Sequence, residues 1–164
     1  MSQTSESKVW VFIRAEEFAK AEGAVRELID DVDDDDHREL CRLFGLLGSI
    51  LNSLGKHDEA TSALRDAVAH ELQLADAELG THRYFLAHQY LNVGEPEQAL
   101  ALIDVVAPGV GHLQCLLQTT AAKAFWALGR TDEARRAAAE ALAAAPVDER
   151  SEVLSELRDM LNGE

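Results

Sequence analysis

One pattern recurs along this sequence at intervals of 39 and 35 residues, and it constrains the fold more than any other feature. In three windows a stretch of helix-forming residues ends at a glycine, three or four polar residues follow, and an alanine opens a second helical stretch. The three glycine–alanine pairs are Gly55 and Ala60, Gly94 and Ala99, and Gly129 and Ala134. A self-similar period in the thirties predicts stacked helix–turn–helix units.

The residues around each break suit a tight turn between two helices. Glycine adopts the left-handed conformation that ends a helix at little steric cost. Thr131 is predicted to cap the helix that follows Gly129, with acidic residues in its first turn favouring the helix dipole. Pro96 suits a first helical position, where its missing N–H is no loss. The small alanine lets the two helix backbones approach closely.

Further positions repeat in the same register. Seven residues before the glycine is a small residue: Gly48, Ala87 and Ala122. Four residues before the glycine is a bulky residue: Leu51, Tyr90 and Phe125. Four and seven residues after the alanine are predicted core residues: Leu64 and Ala67, Ile103 and Val106, Ala138 and Ala141. Over roughly residues 40–146 this pattern resembles the tetratricopeptide repeat family. It departs from the family in lacking the early tryptophan and in its 39-residue spacings.

The resemblance implies an all-α fold, an α-solenoid of antiparallel helix pairs (a superhelix of the tetratricopeptide type) with a C-terminal capping helix. We expect a single domain over residues 1–164. Its predicted parts are a degenerate N-terminal helical pair at 8–36, repeats at 40–72, 80–108 and 114–146, and a capping helix at 148–162. In the degenerate pair, Glu16 takes the place of the glycine. Asp148 is the predicted N-cap of the last helix, and Val153, Leu154, Leu157 and Leu161 are its apolar residues.

The net charge of −15 is concentrated towards the N-terminus, where the first forty residues hold twelve acidic and five basic side chains. Such a surface repels phosphate backbones, so we expect no nucleic-acid partner and favour a basic one. The acidic run Asp33, Asp34, Asp35 and Asp36 does not have the spacing of a calcium loop. It is predicted to be a solvated loop that ends in a capping box, Asp36 with Glu39, or an electrostatic contact for a basic partner.

The sequence contains no recognisable targeting or membrane segment. The start has no basic region followed by an apolar one, and no apolar stretch reaches the roughly 18–20 residues of a membrane helix. We therefore expect a cytoplasmic protein without a membrane partner.

Motifs for nucleophilic catalysis, phosphate binding, dinucleotide binding and metal binding are absent. Cys41 and Cys115 have no CxxC spacing and are predicted to be free structural thiols. His82 and His88, six residues apart, do not share a helix face. We therefore predict no cofactor, no metal site and no catalytic residue, although an enzyme that uses Cys115 with His112 remains the competing class.

Partner-binding residues follow from the resemblance, because the first helix of each pair lines the inner surface in this family. Side chains on those helices that packing does not require are predicted to contact a partner in a concave groove: Arg42, Asn52, Tyr84, His88, Lys123 and Trp126. Aromatic residues are frequent interface anchors. The alternative is that Tyr84 and Trp126 only pack against neighbouring repeats.

These features predict a non-enzymatic scaffold or adaptor that holds a partner protein or peptide in its groove, aided by its acidic surface. Two more specific roles stay open. One is an immunity protein or antitoxin that neutralises a basic toxin, and the other is a secretion chaperone. Self-association is a further alternative.

Overall fold

The computed structural model describes residues 3–74, 80–103 and 112–162, and every regular element in these ranges is an α-helix. The helices are α1 (Gln3–Arg14), α2 (Phe18–Asp30), α3 (His37–Ser53), α4 (His57–Glu71), α5 (Thr81–Asn92), α6 (Pro96–Ile103), α7 (His112–Ala127), α8 (Thr131–Ala144), α9 (Arg150–Glu156) and α10 (Arg158–Asn162). The predicted all-α fold is confirmed. None of these helices combines the length and apolar character that crossing a bilayer requires.

The chain, expected to be a single domain, divides into two compact units, Met1–His82 and Arg83–Glu164, with the boundary inside α5. In the first unit α1 packs on α2, α2 on α3, and α3 on α4. In the second unit α6 packs on α7 and α7 on α8, and α8 contacts both α9 and α10. Neighbours in sequence therefore pack as helical hairpins in each unit.

The three turn glycines have the left-handed conformation that their spacing predicts. Their φ angles are 72° at Gly55, 80° at Gly94 and 71° at Gly129. At each turn the N–H of the following residue donates to the carbonyl four residues before the glycine, at 2.8–2.9 Å. This bond satisfies a carbonyl that the end of the helix would leave without a partner.

The N-terminal helical pair has the same turn, with a glutamate in the glycine position. Glu16 adopts a φ of 57°, and the N–H of Glu17 donates to the carbonyl of Phe12 at 2.9 Å. Ala21 and Val25 are inaccessible to solvent, as the repeat register requires. The pair predicted as degenerate therefore shares the turn geometry and the buried positions of the other repeats, although a side chain at positive φ costs about 1–2 kcal/mol.

Small residues set the distance between the paired helices. Ala60, Ala99 and Ala134 are all inaccessible. A Cβ atom at Gly48 would lie 2.8 Å from Cγ of Leu64, so α3 and α4 approach closely where a glycine leaves space. The packing of α3 on α4 and of α7 on α8 confirms the predicted contact for these two helix pairs. The predicted core residue Val106 lies outside the described residues.

The starts of two helices need correction or refinement. Thr131 is the first residue of α8 rather than its cap, because the chain is already helical there; Arg130 occupies the N-cap position without a side-chain cap. Asp36 caps α3 as predicted, since its carboxylate accepts from the N–H of Glu39 at 3.1 Å. The reciprocal half of the predicted capping box is not formed, because the carboxylate of Glu39 binds Arg42 and the N–H of Asp36 donates to the carbonyl of Asp33.

The C-terminal segment, predicted as one helix at 148–162, contains two short helices, α9 and α10, that meet at Leu157. Glu149, not Asp148, takes the N-cap position of α9. Val153 and Leu157 are buried as expected, but Leu154 is 47% exposed. Met160 is buried as well, in the same helical register as Val153 and Leu157.

Candidate functional site

The second unit contains a cleft of about 280 Å³ between α5, α7 and the C-terminal segment. Its polar lining comes from all three parts: Tyr84 and His88 from α5, His112, Thr119, Thr120 and Lys123 from α7, and Glu149, Glu152 and Glu156 from the C-terminal segment. The helical register explains the grouping, because residues four apart lie on one face of a helix.

The cleft is acidic, since its lining contains three glutamates and one lysine. Lys123 forms an ion pair with Glu156, and Nδ1 of His112 lies 2.8 Å from Oε2 of Glu149. These contacts attach the C-terminal segment to α7 and leave the exposed carboxylate of Glu152 on the rim. The arrangement favours a cationic group in a ligand.

The α5 side of the cleft is aromatic and uncharged. The ring of Tyr84 lies 5.3 Å from that of Phe85 and 6.1 Å from that of His88, measured between centroids. Burial, with a smaller effect of Glu156, raises the pKa of the Tyr84 phenol. Burial and then the charge of Lys123 lower the pKa of His88. Both groups are therefore neutral at pH 7 and can donate or accept hydrogen bonds.

Three of the six predicted groove residues, Tyr84, His88 and Lys123, line this cleft. Trp126 is half-buried on α7, and the lining of the cleft does not include it.

The other two predicted groove residues belong to the first unit, where both have local partners. Arg42 binds both carboxylate oxygens of Glu39, at 2.8 and 2.6 Å. The side-chain oxygen of Asn52 lies 3.2 Å from Nδ1 of His57.

The acidic run lies in the connection between α2 and α3. All four side chains, Asp33, Asp34, Asp35 and Asp36, are exposed. Asp36 has a structural role as the cap of α3. The other three carboxylates are therefore the part of the run with which a partner could make contact.

The environment of Cys115 does not suit a nucleophile. Its side chain is only 2% exposed, and burial raises the pKa of its thiol. A nucleophilic cysteine instead needs its pKa lowered by a neighbouring base or cation. His112, the suggested base, is engaged by Glu149. The geometry gives no support to catalysis by this pair.

Sequence reasoning missed a polar cluster in the first unit, named here the buried polar cluster, in which Cys41 and Glu71 are buried and His82 is half-buried. One ligand atom from each residue lies within 4.8 Å of the others. Sγ of Cys41 is 3.0 Å from Nδ1 of His82, and Oε1 of Glu71 is 3.2 Å from the same nitrogen. Although burial opposes the imidazolium, its hydrogen bonds to Cys41 and Glu71 raise the pKa of His82 to about 9.

Comparisons with known proteins agree with this architecture. One family model, described as a tetratricopeptide repeat, matches residues 80–104 and 116–140, and a second model of the same description matches residues 42–69. A search of the curated proteins found no match. Among solved structures, a crystal structure of BtubC (BKLC) from P. vanneervenii is similar, with a TM-score of 0.79 and 15% sequence identity. The similarity covers 94% of this chain and 69% of that chain and, at this identity, concerns the fold alone.

Proposed function

We propose, from the premise that this chain is a tetratricopeptide repeat protein, that the cleft of its second unit binds a basic segment of a partner protein. Repeats of this family generally form non-catalytic scaffolds for protein–protein interaction. The observation that carries the proposal is the meeting of Tyr84, His88 and Lys123 with three glutamates around one cleft.

The size and chemistry of the cleft favour a short peptide segment. Its volume of about 280 Å³ is near the lower end of ligand pockets, which span about 300–1,000 Å³. A lysine or arginine of the partner would pair with Glu152 or compete with Lys123 for Glu156. Its aliphatic stem would lie against the ring of Tyr84, and a charged group placed over that ring would gain a cation–π attraction.

The overall charge supports a basic protein segment as the ligand. With a net charge of −15, the chain repels nucleic acid and attracts basic proteins at long range. Charge attraction of this kind increases the association rate and weakens as salt is added. We therefore expect binding to a basic segment to become weaker as the salt concentration rises.

Selection of random displayed peptides on the purified protein tests this proposal. We expect the selected peptides to be rich in lysine and arginine. Calorimetry should then show that Tyr84→Ala weakens binding by more than about fivefold, which corresponds to about 1 kcal/mol. Trp10→Ala is the matched control, because Trp10 is an exposed aromatic residue of the first unit, 45% accessible.

Two outcomes would contradict the proposed site. One is selection of acidic or neutral peptides, and the other is unchanged affinity in a folded Tyr84→Ala protein. Circular dichroism of the variant separates a lost anchor from a lost fold.

The acidic run offers a second site, and it connects to the alternative of an immunity protein that blocks a basic toxin. A triple variant, Asp33→Asn, Asp34→Asn and Asp35→Asn, tests it while Asp36 continues to cap α3. If this variant loses binding and Tyr84→Ala does not, the partner binds the acidic run and the cleft proposal fails. Light scattering at several concentrations tests self-association, and a monomer at all of them excludes it.

A further inference from the structure

The buried polar cluster occupies positions that other repeats fill with apolar side chains. Glu71 stands sixteen residues after its turn glycine, where the first and last repeats have the buried Val32 and Ala145. His82 stands twelve residues before its turn glycine, where two other repeats have the buried Leu43 and Leu117. Two ionisable residues thus replace the apolar core at one place in the chain, and they contact each other there.

A third difference from the other repeats, the glycine at position 45, leaves space for the imidazole of His82. A Cβ atom added at Gly45 would lie 2.7 Å from Cδ2 and 2.8 Å from Nε2 of His82, closer than any Cβ contact allows. The equivalent positions in the next two repeats hold Tyr84 and Thr119. The helical conformation of Gly45 does not require a glycine, so its absent side chain is explained by the ring that fills the space.

Packing alone does not account for such a cluster. The side chains of Cys41 and Glu71 are within a buried layer, with total exposures of 3% and 2%. Replacing a buried ionic group by apolar residues of similar volume is often neutral or stabilising, by about 1–4 kcal/mol. The neighbouring repeats show that apolar residues fit these positions. A role other than stability therefore has to explain why a carboxylate, an imidazole and a thiol meet here.

We propose that Cys41, Glu71 and His82 form a binding site for a divalent transition-metal ion, with zinc as the expected ion. Sulfur, imidazole nitrogen and carboxylate oxygen together are the ligands of zinc and its neighbours, whereas calcium and magnesium prefer oxygen alone. The ligands would be Sγ of Cys41, Oε1 of Glu71 and Nδ1 of His82. In a four-coordinate site with three protein ligands, water takes the fourth position.

The geometry is close to what the ion requires. Zinc bonds of about 2.3 Å to sulfur and 2.0 Å to nitrogen place these two ligand atoms about 3.5 Å apart in a tetrahedron. Sγ of Cys41 and Nδ1 of His82 are 3.0 Å apart, so a shift of about half an ångström opens the site. The backbone N–H of His82 donates to Oε1 of Glu71 at 3.0 Å, which already fixes two of the ligands to each other.

A cysteine–histidine catalytic pair is a poorer explanation for the same residues. Such a pair needs one imidazole nitrogen for the thiol and the other for the carboxylate. Here Nδ1 of His82 faces both Cys41 and Glu71, and Nε2 is 3.8 Å from the sulfur. Convergence of both acidic groups on one nitrogen is the arrangement that a single ion satisfies.

Cobalt(II) titration of the metal-free full chain tests the proposal, because a thiolate ligand gives a charge-transfer absorption and a tetrahedral site gives intense visible bands. We expect one cobalt ion per chain with both signals, and displacement by zinc. Cys41→Ser should abolish the charge-transfer band. Cys115→Ser is the matched control, since Cys115 is also buried and stands equally far before a turn glycine, and it should leave the spectrum unchanged.

The remaining ligands are tested by affinity. His82→Leu and Glu71→Gln should each weaken zinc binding by more than about a hundredfold, because even outer-shell changes cost about 10–100-fold. A wild-type chain that shows no thiolate band with stoichiometric cobalt overturns the proposal, whether or not the variants fold. A band that survives in a folded Cys41→Ser protein, or that disappears in Cys115→Ser, overturns it as well.

Discussion

Cys41 and Cys115 hold the same position in two repeats, fourteen residues before a turn glycine, yet their surroundings differ in kind. Cys41 contacts the imidazole of His82, which Glu71 also contacts. Cys115 borders an open cleft, and the apolar Ala145 takes the place that corresponds to Glu71. Both repeats have the turn glycine and the packing alanine, and we call this shared backbone arrangement the repeat frame. The side chains around the cysteine differ between the two repeats and can therefore serve different functions.

The largest expected change in the free energy of unfolding comes from replacing one residue of the buried polar cluster and leaving its partner. His82→Leu leaves the buried carboxylate of Glu71 without the imidazole and should lower the free energy of unfolding by about 3 kcal/mol in metal-free buffer. The double variant Glu71→Val with His82→Leu restores the apolar pattern of the other repeats and should return the stability to the wild-type value or above it. Urea unfolding measures both.

Failure of the double variant would break the comparison between the two repeats. If it is less stable than His82→Leu alone, the polar residues are needed for packing, and the frame of this repeat is not equivalent to that of the others.

The turns should respond alike in both regions. Gly55→Ala and Gly129→Ala should each lower the free energy of unfolding by about 1 kcal/mol, because the strain of a side chain at positive φ, about 1–2 kcal/mol, exceeds the roughly 0.5–1 kcal/mol gained when alanine reduces the freedom of the unfolded chain. A Cβ atom at either glycine would meet nothing within 4 Å, so the loss comes from the backbone alone. Unequal losses, measured by urea unfolding, would indicate that the two turns are not equivalent.

In the first repeat, substitution at the turn position should raise the free energy of unfolding instead of lowering it. Glu16→Gly removes strain of about 1–2 kcal/mol at positive φ, and the greater freedom of glycine in the unfolded chain offsets about 0.5–1 kcal/mol of it. We therefore expect a gain of about 0.5–1 kcal/mol in the free energy of unfolding. A clear loss of stability would show that the Glu16 side chain contributes more than the strain costs.

The smallest effect concerns the ion pairs between successive repeats. Lys56, whose Nζ lies 2.9 Å from a carboxylate oxygen of Glu22, and then Arg26 hold the pKa of Glu22 below its ordinary range, although burial opposes this. Stability from a lowered carboxylate pKa is present above about pH 4.3 and is lost as the pH falls through the folded value. Glu22→Gln should therefore cost less than about 1 kcal/mol at pH 7.

The difference between wild type and Glu22→Gln should disappear in acid, since both side chains are then neutral. A difference that persists in urea unfolding at pH 3 would assign the effect to packing instead of charge.

The fold could be predicted from the sequence wherever backbone geometry selects a residue type. Gly55, Gly94 and Gly129 are required by a positive φ, and their spacing alone indicated the repeats. Glu16 shows the limit, because a turn can tolerate about 1–2 kcal/mol of strain and hide a repeat. The start of α8 was misplaced by one residue at Thr131, since the chain can become helical directly after the turn residue.

Three residues of the cleft could be predicted from the family resemblance, whereas the buried polar cluster could not. Tyr84, His88 and Lys123 lie on first helices, and the family resemblance places such residues on one surface. The contact between Glu71 and His82 joins two helices across a connection, and its ring orientation depends on the space at Gly45. Sequence alone does not give that orientation, although two ionisable residues at positions that are apolar elsewhere were a visible signal.

The central claim is that equivalent places in two repeats serve different ligands, an ion at Cys41 and a basic segment beside Cys115. Backbone hydrogen exchange of the full chain, measured by mass spectrometry, tests it most directly. Zinc alone should slow exchange around residues 38–45 and 68–74, and a selected basic peptide alone should slow it at 112–124 and 149–157. Helix α5 carries His82 of one site and Tyr84 and His88 of the other, so it should respond to both ligands. Protection of any one of these four segments by both ligands, or of neither region by its own ligand, would contradict the account.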